Sequence, residues 1–296
     1  MTAIRRLDSD LINSVATIAP EKIDDLEDFR IQHDPCAMFT DDEKFSFRVN
    51  TESKEIKLPT VALEYLWCAC YAFYVLYQEY NTAHKKNAIQ FDANGTERSR
   101  EAMSLYMWGI EQLGENPSEE WPPHLPAPIA NVTDPNSDIR VANELYLCSA
   151  SWIIHHEFAH IYCGHKNDPV NDEESRAEER EADESATRWI LEGVSDEAIL
   201  KKRGLGVVIA ALVMTTQDIL AGEFKETTHP ISFQRLYDIL ENYFEEPDHL
   251  VYAFTVVICH INMTVAGMSI EIDDEQTWKE NLETCLVQFS RLKNGC

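Results

Sequence analysis

SWIIHHEFAHIYCGH, residues 151–165, contains His156-Glu157-Phe158-Ala159-His160, an HExxH pattern. Residues four apart on an α-helix share one face about one turn apart, so the two imidazoles can grip one metal ion. Glu157 projects beside that ion, where it can take a proton from the attacking water. Leu145, Leu147, Trp152, Ile153, Ile154, Phe158 and Ile161 supply apolar faces around the motif, which predicts a buried helix over about 140–163. Gly164 is placed to end it in the left-handed conformation. A chance HExxH arises in roughly a few per cent of chains of this length, so the motif needs support from its surroundings.

A hydrolytic zinc site takes three protein ligands and keeps one position open for water. The metzincin extension would need Gly at 163 and His at 166, but the chain has Cys163 and Lys166 there. His165 sits just past Gly164, from where it cannot easily swing back to the same metal. RAEEREADESATRWI, residues 176–190, supplies the better candidate in Glu179-Arg180-Glu181-Ala182-Asp183, an ExxAD. Ala182 and Ala186 share the helical face of Glu179, and small residues there allow close approach to a neighbouring helix. Asp183, one turn on, is suited to accept from the non-ligating nitrogen of His156, which fixes a ligand's tautomer. Glu173, Glu174, Glu178 and Glu181 read as the solvated face of an acidic helix.

HExxH, then ExxAD, then Thr228-His229-Pro230 with Arg235 six positions after the histidine, is an ordered set that resembles the gluzincin peptidases of the Ste24/HtpX type. The HEFAH version and the chain length are more similar to the Lit-type phage-exclusion peptidases. The matched blocks cover only about residues 150–240. The resemblance implies a zincin-like core, one Zn2+ per chain held by His156, His160 and Glu179, and Glu157 as general base and then acid. It also implies that His229 donates to the developing oxyanion and that Arg235 orients acidic neighbours or the substrate. A host translation elongation factor, cleaved in antiviral defence when a phage is sensed, is the partner it suggests. The main rival is a non-catalytic zinc-binding regulatory or scaffold protein, against which the intact Glu157 argues. A small-molecule hydrolase is a third reading, with no phosphate loop or sugar-site signature to support it. His155 and His260 read as ordinary core or rim histidines.

Outward from the motif, the pattern is mostly α with a small β element. Alternating Phe45, Phe47, Val49, Ile56 and Leu58 around the polar TESK centre predict a β-hairpin at 44–58, the one candidate edge for an extended peptide. A helix rich in aromatics is predicted from Thr60 to about Tyr80, and another over 97–114. Further helices are predicted at about 173–192, 204–221, 231–245, 250–268 and 275–292. Prolines at 117, 122, 123, 126, 128 and 135 make residues 115–137 a connector or ordered surface loop. That places the expected boundary between an N-terminal lobe, 1–135, and a catalytic region, 136–296.

With 25 basic and 52 acidic residues the formal charge is −27, which repels phosphate backbones and anionic membranes. The expected partner is therefore a protein or peptide substrate, and not nucleic acid. Residues 250–270 are long enough to span a bilayer, but they carry His260 and Asn262 and lack positive flanks, so a core helix is expected. Eight cysteines without a CxxC pair, behind an N-terminal stretch with no apolar signal region, point to a reducing cytoplasm.

Overall fold

The computed structural model describes residues 2–41, 46–86, 91–114, 120–221, 232–268 and 272–293, with side chains at all of these except 219–221 and 290–293. Contacts group the chain into two units, Met1–Asp168 and Pro169–Cys296. Among the described residues the fold is mostly α with one small sheet.

The first unit runs α1 (Asp8–Thr17), α2 (Ile23–His33), β1 (Cys36–Thr40), β2 (Arg48–Asn50), β3 (Glu55–Pro59), α3 (Thr60–Lys85), α4 (Glu97–Glu111) and α5 (Asp138–Tyr162). The predicted hairpin is present. β2 and β3 pair antiparallel with Val49 opposite Ile56, and Lys54 closes the turn at φ 61°. Phe45 lies outside the described residues. β1, which the residue pattern did not reveal, pairs parallel with β3 on its other side, giving the order β1-β3-β2.

α3 is apolar almost all round, with Tyr65, Leu66, Trp67, Phe73 and Leu76 fully buried, as expected of a helix at the centre of a domain. It packs against α4 and α5. Close approach to α4 depends on Gly109, where a Cβ would stand 2.9 Å from Cys68 Cβ. α4 opens with a reciprocal capping box between Thr96 and Ser99. α3 is the one described helix long and apolar enough to cross a membrane, and 83% of its apolar stretch is buried inside the protein.

The proline-rich stretch from 120 carries no helix or strand and is tied to the body of this unit. Trp121 rests on Trp108 with ring centroids 4.5 Å apart, Asn143 donates to the Ile129 carbonyl, and Arg6 donates to that of Pro128. The connector therefore belongs to the first unit, which runs to Asp168.

The second unit consists of α6 (Asp172–Leu191), α7 (Glu197–Ala221), α8 (Ser232–Tyr243), α9 (Leu250–Val265) and α10 (Trp278–Lys293). α7 packs on α6, α8 and α9, and α9 packs on α10. Arg203 of α7 donates to the Ile190 carbonyl at the end of α6, and Asn262 of α9 donates to Thr216 of α7. α9 is 16 residues long and buried at Val251–Cys259, shorter than the roughly 20 residues of a membrane span. The seven described cysteines are free thiols.

Candidate active site

α5 carries the HExxH pattern and is fixed in the first unit along its length. Ser151 and Ser14 share a 2.8 Å hydroxyl bond, and Phe158 packs against Phe29 of α2 with tilted rings whose centroids are 4.8 Å apart. His155 bonds to the Val15 carbonyl at 3.1 Å, and burial pushes its pKa down to about 3. It is thus a neutral core histidine that anchors α5 to α1. His156 follows by about 100° round the helix, so it shares a different face with His160.

The two rings converge: His156 Nε2 and His160 Nε2 lie 3.1 Å apart. Two nitrogens bound at about 2.0–2.1 Å to one tetrahedral ion stand roughly 3.3 Å apart. The pair therefore fits a shared metal ion with little adjustment. Both His156 and Glu157 are buried on this helix.

The end of α5 adds a third imidazole. Gly164 adopts φ 73°, as expected, a backbone state that costs glycine nothing and other residues dearly. His165 N–H donates to the His160 carbonyl at 3.0 Å and Gly164 N–H to that of Ile161 at 3.2 Å, a Schellman closure. The reversal folds His165 back over the last turn, where its Nδ1 lies 2.8 Å from His160 Nδ1. The ring is buried. This contact was missed from the residue pattern, although Gly164 was its signal.

In the second unit, Asn171 caps α6 by accepting from Glu173 N–H and Glu174 N–H. Three carboxylates in the first turn complement the helix dipole. Ala182, Asp183, Ala186 and Ile190 are buried, Glu179 is one turn before Asp183, and Glu181 is exposed. Arg235 of α8 ties the face together. Its Nε and Nη2 donate to the two Asp183 oxygens at 2.6 Å each, and Nη1 lies 3.5 Å from Glu179 Oε2. One planar guanidinium thus holds two inward carboxylates in place. His229 lies in 222–231, outside the described residues.

This triad is nearly buried, with Arg235 and Asp183 side chains 9% and 8% exposed. Removing the cation leaves two carboxylates uncompensated in the interior. Arg235→Ala should therefore destabilise the protein by about 3–5 kcal/mol. Arg235→Lys should recover part of that, because it keeps the charge and loses the fork. Urea unfolding of the three proteins measures this, and an alanine cost below about 1 kcal/mol would show that the pair is not holding the helices.

The family model described as Peptidase U49 matches residues 56–255, more than half of the chain, and that span includes α5, α6 and α8. The chain belongs to the peptidase U49 family. The cell death peptidase of Escherichia coli (strain K12) is 32% identical over 297 residues, covering 99% of both chains. No solved structure matches. The resemblance to the Lit-type peptidases drawn from the HEFAH version and the chain length is borne out, and this U49 member is a peptidase.

Proposed function

We propose that this U49 peptidase is a zinc-dependent endopeptidase, with His156, His160 and Glu179 binding the ion and Glu157 acting as general base and then acid. The observation that carries the proposal is the convergence of the two Nε2 atoms at 3.1 Å on a buried helix, beside a carboxylate that no ligand role needs. An ion bound there polarises the substrate carbonyl and lowers the pKa of water to about 7. Glu157 takes the proton as the water oxygen attacks the carbonyl carbon. It then delivers that proton to the amine nitrogen as the C–N bond breaks.

Around this step the other residues hold and orient. Arg235 presets the Glu179 and Asp183 carboxylates. His229 donates to the developing oxyanion. An extended substrate would pair with the β2 edge. Its place at the rim of the sheet, packed on α5, supports that assignment.

The substrate is a protein of the cytoplasm. The name of the Escherichia coli relative, a cell death peptidase, supports a role in cell death, and phage exclusion is what the Lit-type resemblance adds. A translation elongation factor remains the candidate that the motif resemblance supplies.

The assignment of Glu179 is tested by three alanine variants titrated with Zn2+ against a chromophoric chelator. Asp183→Ala, which removes a partner of a ligand, should weaken affinity by roughly 10–100-fold. Glu179→Ala should cost more than that, and Glu178→Ala, about 100° away on the helix, should be nearly silent. If Glu178→Ala proves as damaging as Glu179→Ala, the third ligand has been misassigned.

A further inference from the structure

The HExxH pattern accounts for the Nε2 atom of His160 and says nothing about the other edge of that ring. We propose that His165 is a positioning residue whose Nδ1 accepts from His160 Nδ1–H and holds His160 in the tautomer that presents a bare Nε2. The inference rests on the metal reading above and deepens it.

Two imidazole nitrogens 2.8 Å apart form a hydrogen bond only if one carries the proton and the other does not. A ligating nitrogen carries none. With His160 Nε2 engaged on a metal ion, its proton sits on Nδ1, and His165 Nδ1 must be the acceptor. The His165 proton then sits on its own Nε2. This is the arrangement by which a partner of a metal-bound histidine fixes its tautomer and raises its basicity.

The backbone makes the arrangement rigid. The left-handed Gly164 and the His165 N–H bond to the His160 carbonyl return His165 to the residue that it supports. His165 is therefore attached to His160 twice, once through the main chain and once through the rings. Burial of the His165 ring removes most competition from water for that bond. The same contact places His165 on the Nδ1 edge of His160, away from the Nε2 edge that faces His156, so it serves the site without being a ligand.

The test uses the full-length chain, Zn2+ titrated against a chromophoric chelator, and Co2+ as a spectroscopic substitute. His165→Phe keeps a ring and removes the acceptor. It should lower Zn2+ affinity by about 10–100-fold and alter the Co2+ d–d bands. His165→Asn, whose amide oxygen can accept, should recover a clear part of the loss. Wild-type affinity in His165→Phe would overturn the inference, and equal losses in the two variants would assign the effect to packing and overturn it as well.

A measurement on the wild-type chain needs no variant to fold. Histidine side-chain nitrogen NMR of the Zn2+-loaded protein should find His160 protonated at Nδ1 and His165 at Nε2. A proton on His165 Nδ1 would contradict it. If the wild-type chain takes up no Zn2+, the metal reading falls and this inference with it. If it binds and His165→Phe binds equally well, only the role of His165 falls.

Discussion

Glu157→Gln should leave the fold and the metal content unchanged while cutting peptide hydrolysis at least about a hundredfold. Glutamine matches glutamate in size and keeps a hydrogen-bonding end, so the packing around this buried position on α5 is preserved. What it loses is the ability to accept a proton from the attacking water and return it to the leaving amine. A general base contributes typically 10²–10⁴-fold, which sets the expected range. Wild-type and variant chains should be incubated with a proteome extract, and the newly formed N-termini counted. The same comparison reports the substrate and its cleavage site. Cleavage by the variant at the wild-type rate would remove Glu157 from the mechanism.

The elements that could be read from the sequence are those whose signal is local. α3 and α5 are long runs of helix formers with apolar residues on nearly every side, and their predicted extents, from Thr60 to about Tyr80 and over 140–163, agree with Thr60–Lys85 and Asp138–Tyr162. The hairpin was legible through strict alternation about a polar turn. β1 was not, because its five residues CAMFT are exposed or half-exposed and show no alternation. α1 and α2 precede any predicted element. α2 buries only Leu26, so its apolar periodicity is too thin to register.

The candidate site divides in the same way. His156, Glu157 and His160 lie within five residues, and helical geometry alone places the imidazoles on one face. The pairing of Arg235 with Asp183 joins residues 52 apart, and no periodicity encodes a contact of that span. His165 is an instructive intermediate. Its distance from His160 is short, but its direction depends on the φ of Gly164, and only the complete Schellman closure turns a loop residue back toward the helix.

The second large effect is expected from His156→Ala combined with His160→Ala. These side chains supply two of the three proposed ligand atoms, and the remaining carboxylate cannot hold Zn2+ against solvent and buffer on its own. Metal affinity arises from deprotonated ligands held in place by the fold, so removing both imidazoles removes the site rather than weakening it. α5 should persist in the variant, because alanine favours helix and its other anchors, Ser151 to Ser14 and Phe158 to Phe29, are untouched. The most direct test of the central claim is the metal content of the purified chain, measured by plasma mass spectrometry beside circular dichroism. The wild-type protein should carry about one equivalent of zinc, and the folded double variant almost none. Full zinc retention by that folded variant would contradict the account.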